Sequence, residues 1–291
     1  MSSPDRLTAM DRCAHNACER PQFDGHAMWE GPQWVVQAHT NFIEAGAQMV
    51  TTNSYALVPF HIGKERFAAE GRALAALSGH LARQAAAAAD RPIAVAGSLP
   101  SLFGSYRPDL FVAERSAEII DPLVDGLAEH VDHWLGETLG SILEARTVRD
   151  ALDRAGSGLP LWLSFTLDDH APGTLRSGES VAAAVRAAAD LGAEAVLFNC
   201  CQAETITIAI AITLETAPAG VATGGYANRF VASHAGEVRA NAGLATFRDD
   251  LDPHSYGGFV AEWLRMGATH VGGCCGMEPA HIAEIAALTT G

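Results

Sequence analysis

The most constraining feature of this 291-residue chain is its alternation of short apolar runs with alanine-rich helical patterns. The apolar runs predict seven strands, at residues 48–53, 93–98, 133–137, 161–166, 195–199, 220–225 and 269–272. Helical patterns occupy residues 34–45, 66–89, 112–130, 141–155, 179–191, 204–216, 256–266 and 279–288. Continuous apolar strands that alternate with helices are typical of a parallel sheet covered on both faces. The pattern therefore predicts an α/β protein.

Polar and chemically reactive residues follow the carboxyl ends of the predicted strands. They include Thr52, Asn53, Gly97, Ser98, Glu137, Asn199, Cys200, Cys274 and Cys275. In a TIM-type (β/α)8 barrel that end carries the active site, and many strands contribute to it. A doubly wound sheet would use one crevice instead, and no Gly-x-Gly-x-x-Gly follows an early strand. We expect a (β/α)8 barrel, although the seven predicted strands are one fewer than closure requires.

Three cysteines at two of these strand ends indicate a metal site. Cys274 and Cys275 lie in the segment Gly272-Gly-Cys-Cys-Gly276, and Cys200 ends the run Phe198-Asn-Cys. Glycines allow sharp turns, so neighbouring thiolates can converge on one point. Three thiolates with one open position are typical of a catalytic zinc site. The alternative is that these cysteines pack as small buried apolar residues.

Composition argues against several classes of protein. The net charge of -15 disfavours nucleic-acid binding, which needs clustered Lys and Arg. No apolar stretch approaches the roughly 18 residues that cross a bilayer, and the N-terminus does not resemble a signal peptide. The six cysteines include two vicinal pairs, whose geometry does not suit disulfides. We expect a cytoplasmic protein.

The chain resembles the homocysteine S-methyltransferase family. The most specific matching segments are Phe198-Asn-Cys200 and Val271-Gly-Gly-Cys-Cys-Gly276, and weaker ones lie at residues 42–55, 95–98 and 136–138. In that family the corresponding cysteines bind zinc, which implies Cys200, Cys274 and Cys275 as ligands here. The resemblance also implies that Glu137 binds the amino group of homocysteine. It places Thr52 and Asn53 against the substrate.

The resemblance implies a zinc-dependent enzyme that methylates the thiol of homocysteine and gives methionine. The methyl donor would be a sulfonium or a betaine-type quaternary ammonium compound. Zn²⁺ is the expected cofactor, Glu137 is the expected catalytic residue, and the partners are small-molecule substrates, without nucleic acid or membrane. We add Gly97, Ser98 and Asn199 to the expected substrate-binding set because they share the strand-end position.

The start of the chain departs from the family. Family members open with a strand that ends in Asp-Gly-Gly and touches homocysteine, whereas residues 1–30 contain no such motif. We therefore divide the chain into an atypical segment, residues 1–30, and a barrel domain, residues 31–291. A missing first strand would leave two strand edges facing a gap. An irregular segment could cover the gap, but we favour the second chain of a homodimer.

Two other functions remain open. One is a catalytically impaired zinc- or amino-acid-binding barrel of the same family. The other is a thiol redox protein that uses vicinal cysteines, although the chain lacks Cys-x-x-Cys. Four aromatic residues could form a cage for a cationic donor or could simply pack in the core or a lid: Tyr55, Phe103, Tyr106 and Tyr226. We expect Cys201 to play no part in metal binding.

Overall fold

The computed structural model describes residues 31–232 and 246–289. Within these ranges, seven parallel strands form one sheet, and their order in the sheet follows their order in the chain. The strands are β1 (Met49–Thr51), β2 (Ala94–Pro100), β3 (His133–Leu139), β4 (Leu161–Phe165), β5 (Ala195–Asn199), β6 (Ala222–Tyr226) and β7 (His270–Val271). All seven predicted strands are confirmed, and each end differs by at most two residues from the prediction.

Helices cover the outer face of this sheet. They are α1 (Pro32–Glu44), α2 (Pro59–Ile62), α3 (Lys64–Ala88), α4 (Ala117–Leu127), α5 (Ile142–Arg154), α6 (Val181–Asp190), α7 (Ala203–Thr216), α8 (Pro253–Met266) and α9 (Pro279–Thr289). The helix predicted at 112–130 begins later because a separate 3-10 turn, Ala113–Arg115, precedes it. Helix α8 begins earlier than predicted, since Asp252 caps it and Pro253 suits its first turn.

The sheet curls, so that its two ends approach each other. Helices α1 and α9 belong to opposite ends of the sheet and are in contact. A Cβ atom added to Gly46, just after α1, would lie 2.5 Å from the Cβ of Ala286 in α9. The fold is therefore a TIM-type α/β barrel, to which residues 31–232 and 246–289 contribute seven strands. The expectations for residues 1–30 lie outside the described residues.

The two faces of the strands differ in polarity toward the carboxyl end. Alternate side chains face the helices, where residues such as Trp134 and Phe198 form the main core. The opposite face lines the barrel interior, and residues such as Leu135 and Trp162 fill its middle. One step further along the strands, the interior positions become polar, at Ser98, Glu137, Ser164, Asn199 and Tyr226. The fold thus gathers polar side chains at one end of the barrel.

Candidate active site

The three predicted metal ligands lie together at the carboxyl end of the barrel. The Sγ atom of Cys200 is 2.8 Å from that of Cys274 and 3.6 Å from that of Cys275. The Sγ atoms of Cys274 and Cys275 are 3.9 Å apart. Within the two described ranges, these cysteines form the one group of three or more Cys, His, Asp or Glu residues able to hold a metal ion. Cys201 instead packs in the helix-facing core, as expected for a bystander.

A backbone segment that continues β6, residues 226–229, joins the two turns that carry these cysteines. Successive residues bond alternately to one turn and to the other. To the Cys200 turn, Tyr226 O accepts from Cys200 N (3.3 Å) and Asn228 N donates to Cys201 O (3.2 Å). To the Cys274 turn, Ala227 O accepts from Cys274 N (2.9 Å) and Arg229 N donates to Cys275 O (2.8 Å). The segment therefore acts like a central strand, with the Cys200 turn bonded along one side and the Cys274 turn along the other. The sulfur spacing therefore depends on backbone hydrogen bonds.

Tyr256 ties the same segment to the end of β7. Its hydroxyl accepts a hydrogen bond from Ala227 N (3.1 Å) and donates one to Gly272 O (2.5 Å). Burial raises the pKa of Tyr256 well above its usual value, so the hydroxyl keeps the proton that it donates. This side chain comes from α8, and its role has no signal in the local sequence.

Asn199 connects the cysteines with the turn that carries Glu137. Its Oδ1 atom accepts from Thr138 N (3.1 Å) and from the Ser164 hydroxyl (2.8 Å), and its Nδ2 donates to Thr138 Oγ1 (2.8 Å). The amide is fully buried, so each bond replaces one to water. These contacts hold the framework of the site, and the role of Asn199 in binding substrate stays a prediction.

Three non-glycine residues in the described ranges have a positive φ angle, and all lie at this end of the barrel. They are Tyr106 (62°), Thr138 (59°) and Cys200 (57°). The left-handed conformation is unfavourable for any residue with a Cβ atom and costs of order 1–3 kcal/mol. It persists only where surrounding contacts enforce it. For Thr138, the paired bonds to Asn199 supply that enforcement. Strain of this kind is concentrated at functional sites.

Glu137 lies in a network of hydroxyl groups contributed by the ends of β1 and β2. Its buried Oε2 atom accepts from the Ser98 hydroxyl (2.7 Å). Ser98 N–H donates to Thr52 Oγ1 (3.0 Å), and that oxygen lies 2.8 Å from the Ser54 hydroxyl. Ser54 in turn donates to Ser98 O (2.7 Å). The structure thus brings together Thr52, Ser98 and Glu137, three residues of the predicted substrate set.

Two other predicted substrate residues are placed differently. Gly97 faces the helix layer, because a Cβ atom there would lie 3.0 Å from the ring of Trp134 and close to Val131. Gly97 could reach a ligand only through its backbone. Asn53 is buried next to Thr52, but within the described part of the chain no hydrogen bond links it to Glu137 or to the cysteines. Their roles in binding substrate stay predictions.

Tyr106, which the sequence indicated only as one of four candidate cage residues, lies beside the cysteines. It packs against the inner cluster that contains Cys200, Cys274 and Tyr226. Burial, followed by the nearby Cys200 and Cys275 groups, raises the pKa of its phenol well above the usual value. Of the proposed aromatic cage, Tyr106 and Tyr226 lie beside the thiols, whereas Phe103 packs edge-on against Phe111, with 5.5 Å between the ring centroids.

Arg176 places a buried positive charge behind Tyr106. Its Cζ atom lies 5.2 Å from the centroid of the Tyr106 ring. Arg176 pairs with Asp169 at 3.3 Å, and both side chains are almost completely buried. The carboxylate of Asp169 also accepts from Gln202 N (2.8 Å), and burial raises its pKa. Sequence reasoning missed this pair because it lies in the irregular segment between β4 and α6.

A third buried carboxylate, Glu144, lies near this end of the barrel but caps the helix that follows β3. Ser141 caps α5 by accepting from Glu144 N (3.3 Å), and Glu144 Oε2 accepts from Gly140 N (2.7 Å) and the Ser141 hydroxyl (3.1 Å). This arrangement is a variant of the capping box, in which the glutamate accepts from the N–H of Gly140, one residue before the cap. Burial outweighs these bonds and raises the pKa of Glu144 to about 7.

No helix within residues 31–232 and 246–289 combines the length and apolarity needed to span a bilayer.

Comparisons with known proteins agree with this geometry. A family model described as homocysteine S-methyltransferase matches residues 8–289, and so includes part of the segment that we set apart as atypical. The chain is 29% identical to the methionine synthase of Mycobacterium tuberculosis over 88% of its own length, but it spans only 21% of that protein. It is 27% identical to homocysteine S-methyltransferase 4 of Zea mays, with 88% of this chain and 79% of that protein covered.

A solved structure shows the same fold. The metallated form of the homocysteine methyltransferase MmuM from Escherichia coli superposes with a TM-score of 0.78, at 24% identity, over 98% of this chain and 96% of that one. The family match covers nearly all of the chain, including both cysteine turns and Glu137. The chain belongs to the homocysteine S-methyltransferase family.

Proposed function

We propose that this protein transfers a methyl group from a sulfonium or betaine-type donor to the thiol of homocysteine and so forms methionine. The observation that carries this proposal is the convergence of Cys200, Cys274 and Cys275 at the carboxyl end of a barrel of this family. The methionine synthases that it matches are about five times longer, so the activity is argued from this chain's own site.

Zinc fits the donor set. In a tetrahedral site with Zn–S bonds of about 2.3 Å, neighbouring sulfurs are about 3.8 Å apart. Two of the three observed sulfur separations, 3.6 and 3.9 Å, agree with this spacing. The third, 2.8 Å between Cys200 and Cys274, would lengthen by about 1 Å. Soft thiolate ligands favour zinc over Mg²⁺ or Ca²⁺, and three of them leave one position for a substrate thiol.

When bound, zinc would lower the pKa of a coordinating thiol and so supply thiolate, the nucleophilic form, near neutral pH. The chain's own thiols do not ionise readily together. Hydrogen bonding with Cys200 and Cys274 and burial together raise the pKa of Cys275 well above its usual value. The contribution of the chain is therefore to hold the three sulfurs at a fixed spacing in a buried place.

Glu137 is suited to hold the ammonium group of the amino-acid substrate. It is buried in the same barrel mouth as the thiols, and the Ser98 hydroxyl orients one of its two oxygens. A carboxylate that accepts from an ammonium group makes a strong, charge-assisted hydrogen bond. Fixing the amino acid at one end aligns its sulfur with the donor's methyl group, and alignment of this kind can supply several kcal/mol of rate enhancement.

The donor carries a positive charge that is cancelled as its methyl group leaves. Faces of aromatic rings attract such cations. The rings of Tyr106 and Tyr226 lie beside the thiols, which is the place where the methyl group must arrive. We propose that these two tyrosines, rather than Phe103, contact the donor.

Methyl transfer with defined donors tests the proposal. Zinc-loaded protein should convert homocysteine to methionine with S-methylmethionine or betaine, and mass spectrometry should detect the product. A chelator should abolish turnover, and added zinc should restore it. Folded, zinc-loaded protein that is inactive with every sulfonium and betaine donor would instead support the impaired-barrel alternative. Turnover that survives removal of zinc would contradict the role of the metal.

The geometry disfavours a redox role for one of the two vicinal pairs, Cys200 and Cys201. Such a role requires a vicinal pair whose two sulfurs can react with each other or with a partner. Cys200 faces the barrel interior, whereas Cys201 packs in the helix-facing core with 0% exposure. Burial also raises the pKa of Cys201, which lowers its reactivity.

We further propose a homodimer in the cytoplasm. Among the described residues, no strand pairs with the outer edge of β1 or of β7, and exposed strand edges favour association. Sedimentation equilibrium should show two chains per particle. A monomer, with residues 1–30 supplying an eighth strand, would overturn both the dimer and the division of the chain at residue 30.

A further inference from the structure

The spacing between the cysteine turns is set indirectly. Cys200 follows β5 and Cys274 follows β7, and these two strands are separated by β6. Residues 226–229 hydrogen-bond to both turns, as described above. Any contact that fixes this segment relative to one turn therefore helps to fix the distance between the sulfur atoms.

Residues 226–229 run on into a short paired stem. Arg248 N donates to Arg229 O (2.8 Å), and Val231 N donates to Thr246 O (3.0 Å), so residues 229–231 lie antiparallel to residues 246–248. The rings of Phe230 and Phe247 stack, with centroids 5.5 Å apart and planes within 5° of parallel. The stem is therefore paired through its backbone and joined directly to the end of the 226–229 segment.

Arg248 joins this stem to the Cys200 side of the site. It donates to both carboxylate oxygens of Glu204 (2.9 and 2.8 Å), to both of Asp250 (3.1 and 2.8 Å) and to Gln202 Oε1 (2.8 Å). These five bonds use every N–H of the guanidinium group. The side chain is therefore held in one orientation.

Gln202 completes the connection. It lies two residues after Cys200, and its Nε2 donates to Phe230 O (2.7 Å) while its Oε1 accepts from Arg248. Gln202 occupies the N-cap position of α7, but its side chain makes no capping hydrogen bond. Both ends of the amide therefore bond across to the stem instead of serving the helix.

We propose that Gln202 and Arg248 are positioning residues that hold the Cys200 turn against the 226–229 segment and so preset the sulfur spacing for metal binding. This inference rests on the proposed zinc site. A surface ion pair alone contributes little to stability, about 0–1 kcal/mol. We expect the bonds of Gln202 and Arg248 to contribute by preorganisation instead, because supporting contacts keep metal ligands in the geometry that binding requires.

The experiment compares zinc release from the full-length protein and two variants. In Gln202→Ala the cross-link is removed, while the pairing of Arg248 with Glu204 can persist. In Arg248→Lys the charge is kept, but the planar fork that reaches three partners is lost. Each variant should release zinc to a chromophoric chelator about 10-fold faster than the unmodified protein, the lower end of the effect seen for outer contacts of metal sites.

Matched controls separate positioning from general stability. Gln37→Ala removes a glutamine side-chain bond to Asn41 within α1, and Arg154→Lys removes a forked pair between Arg154 on α5 and Asp121 on α4. Both controls should release zinc at the unmodified rate, even where their melting temperatures fall as far as those of the test variants. Substitution with Co²⁺ gives a second readout, because its absorption spectrum reports the geometry of the thiolate ligands. The test variants should show weaker or shifted bands.

The outcomes are distinct for the two proposals. If the unmodified protein binds no zinc, the proposed metal site fails, whatever the variants do. If the unmodified protein binds zinc, and folded Gln202→Ala shows the same release rate and the same Co²⁺ spectrum, the positioning role is overturned. Should Arg248→Lys fail to fold, Gln202→Ala still decides the question, since it leaves the ion pairs of the stem in place.

Discussion

The two halves of the barrel mouth are held by different kinds of bond. On the side of β5 to β7, backbone groups of residues 226–229 hold the cysteine turns. On the side of β1 to β3, hydroxyl side chains of Thr52, Ser54 and Ser98 surround Glu137. A backbone-held site should tolerate most side-chain changes other than those of the ligands and of the few side chains that brace the backbone, which are Gln202, Arg248 and Tyr256. A site held by side chains should lose ligand affinity in smaller amounts as single hydroxyl groups are removed.

The largest effect should follow from removing a ligand on the backbone-held side. We expect Cys275→Ala to weaken zinc binding at least 100-fold, since losing even an outer partner of a metal site costs 10–100-fold. Competition with a chelator of known affinity measures this change. The fold should persist, because the backbone bond from Arg229 N to Cys275 O does not need the thiol.

Cys201→Ala is the matched control for that experiment. It removes a neighbouring buried thiol that faces the helices. Zinc affinity should be unchanged, whereas thermal stability should fall modestly because a small cavity is left in the core. Equal zinc loss in both variants would show that the effect comes from disturbed packing and not from ligation.

On the side held by side chains, Glu137→Gln should weaken homocysteine binding while zinc content stays intact. The lost charge-assisted bond is worth roughly 1.5–3 kcal/mol, which corresponds to roughly 10–150-fold in affinity. Calorimetric titration of homocysteine into zinc-loaded protein provides the measurement. Normal affinity in this variant would refute the anchoring role.

Glu144 offers a contrast, as a buried carboxylate that supports the fold instead of the ligand. Its folded pKa of about 7 lies above the unfolded value of 4.5. The folded state therefore retains a proton that the unfolded chain has already released, so this group's stabilising contribution falls as the pH rises from about 5 to 7. Linkage puts the loss at about 2 kcal/mol.

Denaturant unfolding across this pH range tests that expectation. Glu144→Gln cannot ionise, so its stability should change less between pH 5 and pH 7 than that of the unmodified protein. Homocysteine affinity should be unaltered, in contrast to Glu137→Gln. An identical pH slope in both proteins would show that other groups cause the dependence.

The smallest expected effect concerns a single hydroxyl group. Ser98→Ala removes the bond that orients the Glu137 carboxylate but leaves the carboxylate itself in place, so we expect the loss of a typical single hydrogen bond, about 0.5–1.5 kcal/mol. Homocysteine affinity should fall by roughly 2- to 12-fold. Ser78→Ala, which removes a buried serine bond within α3, is the control and should leave affinity unchanged. A greater loss in the control would mean that the barrel transmits stability changes to the site.

The sequence by itself determined the repeating architecture and the three cysteines that converge at one end of the barrel. Apolar periodicity is local, so it predicted all seven strands to within two residues at each end. The carboxyl ends of parallel strands meet at one end of a barrel, which is why Cys200, Cys274 and Glu137 could be assigned to a common site. Helix N-terminal caps are harder to locate in the sequence, and the predicted beginnings of α4 and α8 were wrong by five and three residues.

Only the tertiary structure decided how that site is held together. The left-handed backbone of Tyr106, the buried charge of Arg176 and the bonds of Gln202 to a stem some 28 to 46 positions further along the chain have no local signature. Each depends on groups that are far apart in the chain and meet only after the sheet has curled. The direction of Gly97 away from the interior has the same origin, because the register of a strand fixes which face each residue occupies.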